Sequence, residues 1–217
     1  MTESEASGPA GSHDFEIADS TEIYTGAIMA LRVDDVTMPG GTTARREVVE
    51  HFGAVAIAAV DESGRIALVS QYRHPLGRRL LEMPAGLLDG GPEESPIDAA
   101  ARELVEEMGL HADTWQVLVD VAASPGFTDE VVRVFLATGL HEVDRPQAHD
   151  EEADMTLLWM SLDDAVAAVF SGEIVNASSV AGILAVRVAR AEGTQLRTPE
   201  APWRDRPEAF DRRRGRS

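Results

Sequence analysis

The chain has 217 residues, about one and a half times a ~150-residue domain, and its 44% hydrophobic and 26% charged content excludes wholesale disorder. No apolar window approaches the ~18 residues of a membrane span, and 38 acidic against 19 basic side chains, a net charge of −19, disfavour nucleic acid and anionic lipid as partners. Cys is absent and all 19 basic residues are Arg, so disulfides, thiolate nucleophiles, cysteine-held metals and lysine-dependent Schiff-base or P-loop chemistry are excluded.

Residues 1–13 are rich in Ser, Gly and Glu and read as disordered; their acidic, non-apolar start is unlike a secretory signal and points to the cytoplasm. From Phe15 to Val36 short apolar alternations read as irregular strands, ended by a Pro-Gly-Gly turn over 37–43. Residues 45–50 alternate, and Ala54 to Val60 is an unbroken apolar run of strand length. Asp61-Glu62-Ser63-Gly64 reads as a hairpin turn into a strand over 66–72, with further strands at 79–83, 115–122, 131–138 and 155–160.

Three helices interrupt the strands. The clearest starts at Ser95, with Pro96 in the first turn and Asp98 three residues after the cap, and ends at Gly109. A second runs from Ser161 to Gly172, and a third from Asn176 to about Ala191, before Gly193. Ala165, Val166, Val169 and Phe170, and Val180, Ile183, Leu184, Val186 and Val188, read as core stripes. This order of elements argues for an α+β fold. Six arginines crowd residues 204–216, a stretch read as countercharge to the acidic body or as disorder, with Trp203 and Phe210 docking part of it.

On the first helix Ile97, Ala100, Ala101, Leu104 and Met108 fall on one stripe, and Glu103, Glu106 and Glu107 cluster beside it. Three like charges near a helix C-terminus repel each other and oppose the macrodipole, a cost that a hard divalent cation offsets. Taken alone, in a chain this acidic, the triplet reads as a solvated acidic face. The wider pattern is Gly86, then Glu94, then Arg102-Glu103-Leu104-Val105-Glu106-Glu107-Met108-Gly109-Leu110. It resembles the box of the Nudix hydrolase family, complete from Glu94 to Leu110, with a two-residue insertion between Gly86 and Glu94.

The resemblance extends over most of residues 15–192 and is nearest to the ADP-ribose pyrophosphatases, through Leu81 to Gly86, Ser124 to Glu130 and the acidic segment Asp150 to Asp154. It implies an α/β/α sandwich, the Nudix fold, preceded by an N-terminal antiparallel sheet segment. The implied divisions are 1–13, 14–50 for dimerisation and pocket, 51–193 for catalysis and 194–217 as a tail. It implies hydrolysis of ADP-ribose to AMP and ribose 5-phosphate with Mg²⁺ or Mn²⁺, the metal held by Glu103, Glu107 and the Ala85 carbonyl, with Glu106 a further candidate. Arg102 and Glu94 would pair to fix the carboxylates.

Arg46, Glu47, Arg73, Leu87, Gly126 and Glu130 are the implied substrate contacts, and Glu152 or its neighbour Glu151 the implied general base, with His149 a weaker candidate. A homodimer, in which the N-terminal strands complete the other chain's pocket, is implied as well. His51 and His74 are expected to satisfy local hydrogen bonds. The competing readings are another nucleoside diphosphate derivative as substrate, and a module that senses ADP-ribose without catalysis.

Overall fold

An unbroken apolar run such as residues 54–60 needs cover on both faces, and the architecture supplies it. In the computed structural model, which describes residues 11–91, 93–146 and 154–215, β4 (Ala54–Ala59) lies inside a four-stranded sheet. That sheet is ordered β7 (Ala85–Leu87), β4, β9 (Val131–Glu142) and β8 (Leu110–Ala122), with only β4 and β9 parallel. Alternate residues of β4 point to opposite layers. Ala54, Ala56 and Ala58 pack with Ala165 and Ala168 of α2 (Leu162–Ser171) and with Ile183 and Val186 of α3 (Ala177–Glu192). Val55, Ile57 and Ala59 pack with Ala99, Ala100, Leu104 and Met108 of α1 (Pro96–Met108). Helices therefore cover both sides, the α/β/α arrangement expected.

A second, antiparallel sheet is ordered β10 (Thr156–Ser161), β5 (Arg65–Arg73) and β6 (Arg78–Glu82). It feeds Ile66 and Leu68 into one core and Ala67 and Val69 into the other. A short 3-10 turn at His74–Leu76 joins β5 to β6. The three helices begin and end where the caps place them. Ser95, Ser161 and Asn176 each accept a hydrogen bond from the backbone N–H three residues on, and Gly109, Gly172 and Gly193 close the helices in the left-handed conformation. None of the described helices is long and apolar enough to cross a membrane.

The irregular strands of 15–36 are β1 (Ile17–Thr25) and β2 (Met29–Thr37), whose pairing shifts register at Ile17/Asp19 and at Glu22/Tyr24, and which form an antiparallel sheet with β3 (Thr43–His51). Every residue of β1 is exposed, so its weak alternation has no core to answer to within this chain. Other elements differ from expectation. β8 starts at Leu110, directly after the Gly109 cap, five residues before the expected strand, because pairing with the long β9 extends it. Phe170 and Val188, read as core, are 79% and 52% exposed, since α2 and α3 bury narrower stripes than the apolar composition allows. Residues 1–10, the larger part of the expected disordered segment, lie outside the described residues, whereas the His13 ring is 2.9 Å from the Thr37 carbonyl.

The C-terminal stretch docks. Phe210 of α4 (Ala209–Arg213) is fully buried with Phe52 and Ala30, against Leu87. Arg213 donates to both oxygens of Glu50, at 2.7 and 3.0 Å, and also pairs with Glu22. With Arg32 on its other side, Glu50 is held below the usual carboxylate range, by Arg213 first. Trp203 lies under the buried Arg133 guanidinium, 4.7 Å from ring centroid to charge. The arginines of the tail thus act partly as countercharge to the body.

Candidate active site

The acidic triplet sits on a helix that buries two ridges rather than one. Ala100, Leu104 and Met108 form the apolar ridge, and Ala99, Glu103 and Glu107 the next, so two of the three glutamates are enclosed, at 9% and 3% exposure. Enclosure has an electrostatic consequence: burial pushes Glu103 up to about 7, although Arg102 pulls the other way. Arg102 Nη1 donates to Glu103 at 2.7 Å and to Glu106 at 2.8 Å, while Arg102 Nε reaches Glu94 at 2.8 Å. The Glu94–Arg102 pair read from the sequence is therefore in place. The two-residue insertion does not disturb it, because Gly90 lets Glu94 approach so closely that a Cβ there would lie 2.1 Å from its carboxylate.

Ala85 and Gly86 lie over the acidic ridge. The Ala85 N–H donates to Glu107 at 3.0 Å, and a Cβ on Gly86 would stand 2.0 Å from the Glu103 carboxyl carbon. Only glycine permits that approach. Among the described residues no three acidic or imidazole groups are gathered tightly enough to hold a metal ion as they stand. The donor set nevertheless fits a hard divalent ion: Glu103, Glu106 and Glu107 offer carboxylate oxygens from one helix, and the Gly86 cradle keeps backbone beside them.

An open cleft of about 960 Å³ adjoins this ridge, and its lining includes Ala85, Gly86, Leu87 and Glu107. That volume is at the upper end of the ~300–1,000 Å³ of small-molecule sites. Arg73, from the end of β5, and Glu130 also line it, joined by Ile28, His51, Gln71, Asp89, Met155, Asn176 and Ser178. Arg46 and Glu47 do not line it; both are exposed on β3, where Arg46 donates to the Arg45 carbonyl. Gly126 is exposed outside the lining as well. Glu151, Glu152 and His149 lie outside the described residues.

His51 departs from expectation. Its backbone N–H is held by Asp129 at 2.9 Å, but the buried Nδ1 has no hydrogen bond and faces Glu130 at 3.7 Å. No sequence pattern marks it, since its place on the cleft wall comes from β3 crossing beside residues 127–130. Gln71 and Ser178 are equally unmarked by any motif, and Asn176 is marked only as the cap of α3.

The family model of the NUDIX domain matches residues 49–179. The chain belongs to the Nudix family. It is 58% identical to the "ADP-ribose pyrophosphatase" of Mycobacterium tuberculosis over 202 residues, which cover 93% of this chain and 97% of that protein. It is 40% identical to the "ADP-ribose pyrophosphatase" of Bacillus subtilis over 75% of this chain and 86% of that one. The "Methanol dehydrogenase activator" of Bacillus methanolicus, another relative, is 37% identical over the same shares. A crystal structure described as an ADP compounds hydrolase superposes with a TM-score of 0.70 at 19% identity, over 83% of this chain and 97% of that one, and supports the Nudix fold.

Proposed function

We propose that this Nudix enzyme is a divalent-metal-dependent ADP-ribose pyrophosphatase that hydrolyses the diphosphate linkage to AMP and ribose 5-phosphate. One observation carries the chemistry: a buried carboxylate ridge, roofed by Ala85 and Gly86, borders a nucleotide-sized cleft into which Arg73 is built. The substrate is taken from the two pyrophosphatase relatives, one of them alike over nearly its whole length.

Glu103, Glu106 and Glu107, with the Ala85 carbonyl, would hold the ion, Mg²⁺ or Mn²⁺. When bound, such an ion neutralises phosphate charge and lowers the pKa of an attacking water. Arg73 offers guanidinium N–H groups to a phosphate oxygen. Glu130, beside His51 on the cleft wall, would accept from a ribose hydroxyl, and Leu87 with Ile28 would supply apolar wall.

Arg46, Glu47 and Gly126 enter this reading through a homodimer in which one chain's N-terminal strands complete the other's pocket. In support, β1 and its flank expose Phe15, Ile17, Ile23 and Tyr24, each more than half accessible. Residues 51–193 are then the catalytic unit, 14–50 the dimerisation segment and 194–217 a docked tail. Light scattering at assay concentration is expected to read about twice the 23.3 kDa chain; a fully active monomer contradicts the shared pocket. The reading of a cytoplasmic enzyme with no nucleic-acid or membrane partner draws on the net charge of −19.

The substrate assignment predicts the order of kcat/KM for ADP-ribose, ADP-glucose and a nucleoside triphosphate, measured with Mg²⁺ or Mn²⁺. ADP-ribose is expected to lead. A triphosphate ahead by about tenfold, a preference that a few pocket contacts can set, would move the protein to another Nudix subclass. Tight ADP-ribose binding without turnover would make it a sensing module instead.

A further inference from the structure

Glu82 ends β6 and is only 1% exposed, yet both of its carboxylate oxygens are engaged. Oε2 accepts from Gln71 Nε2 at 3.0 Å and from Arg73 Nε at 2.9 Å, and Arg73 Nη2 stands 2.8 Å from the same oxygen. Oε1 accepts from Asn176 Nδ2 at 2.9 Å. Gln71, Arg73 and Asn176 line the cleft, whereas Glu82 lies behind them. One enclosed carboxylate thus ties together three wall residues from β5 and from the start of α3.

The arrangement leaves little freedom. Asn176 caps α3, its Oδ1 accepting from the Ser179 N–H at 3.0 Å, so only its Nδ2 can turn to Glu82. Arg73 carries a rigid planar fork of five N–H groups. With its Nε edge bound to Glu82, the Nη1 hydrogens and one Nη2 hydrogen remain for a ligand. The Arg73 side chain is 38% exposed, open enough to meet one. A charge-assisted bond to a buried carboxylate holds a guanidinium more firmly than water would.

We propose that Glu82 is a positioning residue for substrate binding: it fixes the guanidinium of Arg73 toward an anionic group of the substrate and sets Gln71 and Asn176 alongside. This rests on the reading of Arg73 as a phosphate contact. Glu82 touches neither substrate nor reacting atoms.

The test is a double-mutant cycle on Glu82→Gln and Arg73→Ala, reading KM and kcat separately and the thermal midpoint of each variant. Gln keeps the shape of Glu but turns one acceptor into a donor, so either Asn176 or the Gln71 and Arg73 pair loses its partner. Glu82→Gln is expected to raise KM for ADP-ribose about tenfold, the loss of one well-held charged contact, with kcat within about threefold. On the Arg73→Ala background the same change is expected to move KM by less than about twofold, because the two residues act as a unit. A purely structural role would lower the midpoint and show the same KM effect on both backgrounds.

Unchanged KM in Glu82→Gln, or an undiminished effect on the Arg73→Ala background, overturns the proposal. If Arg73→Ala by itself leaves KM unchanged, the phosphate contact and the proposal fall together. If the wild type turns over another nucleoside diphosphate derivative instead of ADP-ribose, only the substrate assignment fails, and the cycle is read with that derivative. Glu82→Asp, which keeps the charge but retracts it by one methylene, serves the same cycle if the Gln variant does not fold.

Discussion

Glu107→Gln is expected to lower kcat by at least about 10²-fold at saturating Mg²⁺, because losing a charged group that stabilises the reacting phosphate through a metal is worth several kcal/mol. Glu107 is 3% exposed, lines the cleft and accepts from the Ala85 N–H. A Gln at this place can still accept that bond through its amide oxygen, so the fold should survive while the charge goes. Glu103→Gln should act alike, for Glu103 shares the buried ridge and is closed in by Gly86. Steady-state kinetics beside a thermal unfolding curve checks both. Near-normal kcat in either variant would remove that residue from the metal site, and a collapsed midpoint would show a structural role.

The second large effect is expected from the acidic segment: Glu152→Gln or Glu151→Gln, but not both equally, cuts kcat about 10²–10⁴-fold, as removal of a general base does. Carboxylates neutralised by a metal accept protons poorly, and the attacking water needs a partner within ~2.6–3.2 Å. Glu103 and Glu106 are moreover already shared by Arg102. The two ends of the segment are fixed beside the site. Arg145 Nε donates to the Glu106 carbonyl at 2.7 Å, Arg79 pairs with Asp154, and Met155 lines the cleft. A base from this segment is therefore proposed on the described residues that flank it. Binding calorimetry with ADP-ribose separates the outcomes: retained affinity with lost turnover supports the base, and wild-type kcat in both variants places it elsewhere. Loss of binding in both makes the segment a substrate or metal contact.

The helix that carries the chemistry was legible because its signals are local. Cap, first-turn Pro, terminal Gly and the Arg-Glu-Glu-Glu spacing all fall within residues 94–109, and each depends on neighbours at most a few positions away. That the ridge of Ala99, Glu103 and Glu107 would be buried was less so. A charged residue beside an apolar stripe reads as solvent-facing until β7 is known to lie over it.

The pairing of Glu82 with Asn176 was not legible, although the segment 81–86 and the Asn176 cap were. Their hydrogen bond spans 94 residues, and neither residue type at its position departs from ordinary strand or cap composition. The same holds for His51, brought to the cleft by strand crossing alone. The N-terminal strands were recognisable as irregular strands, and the β1–β2 pairing does shift register twice, since β1 has no buried face to impose a period of two. Arg46 and Glu47 lie on that sheet outside the cleft lining, so the fold of one chain does not bring them to the site.

The most direct measurement begins with enzyme stripped of metal by chelator and follows ADP-ribose by chromatography as Mg²⁺ or Mn²⁺ is returned. The account predicts no turnover before the metal is added, then AMP and ribose 5-phosphate in equal amounts, rising with metal until the site saturates. Turnover that persists in chelator, or products other than that pair, would contradict it.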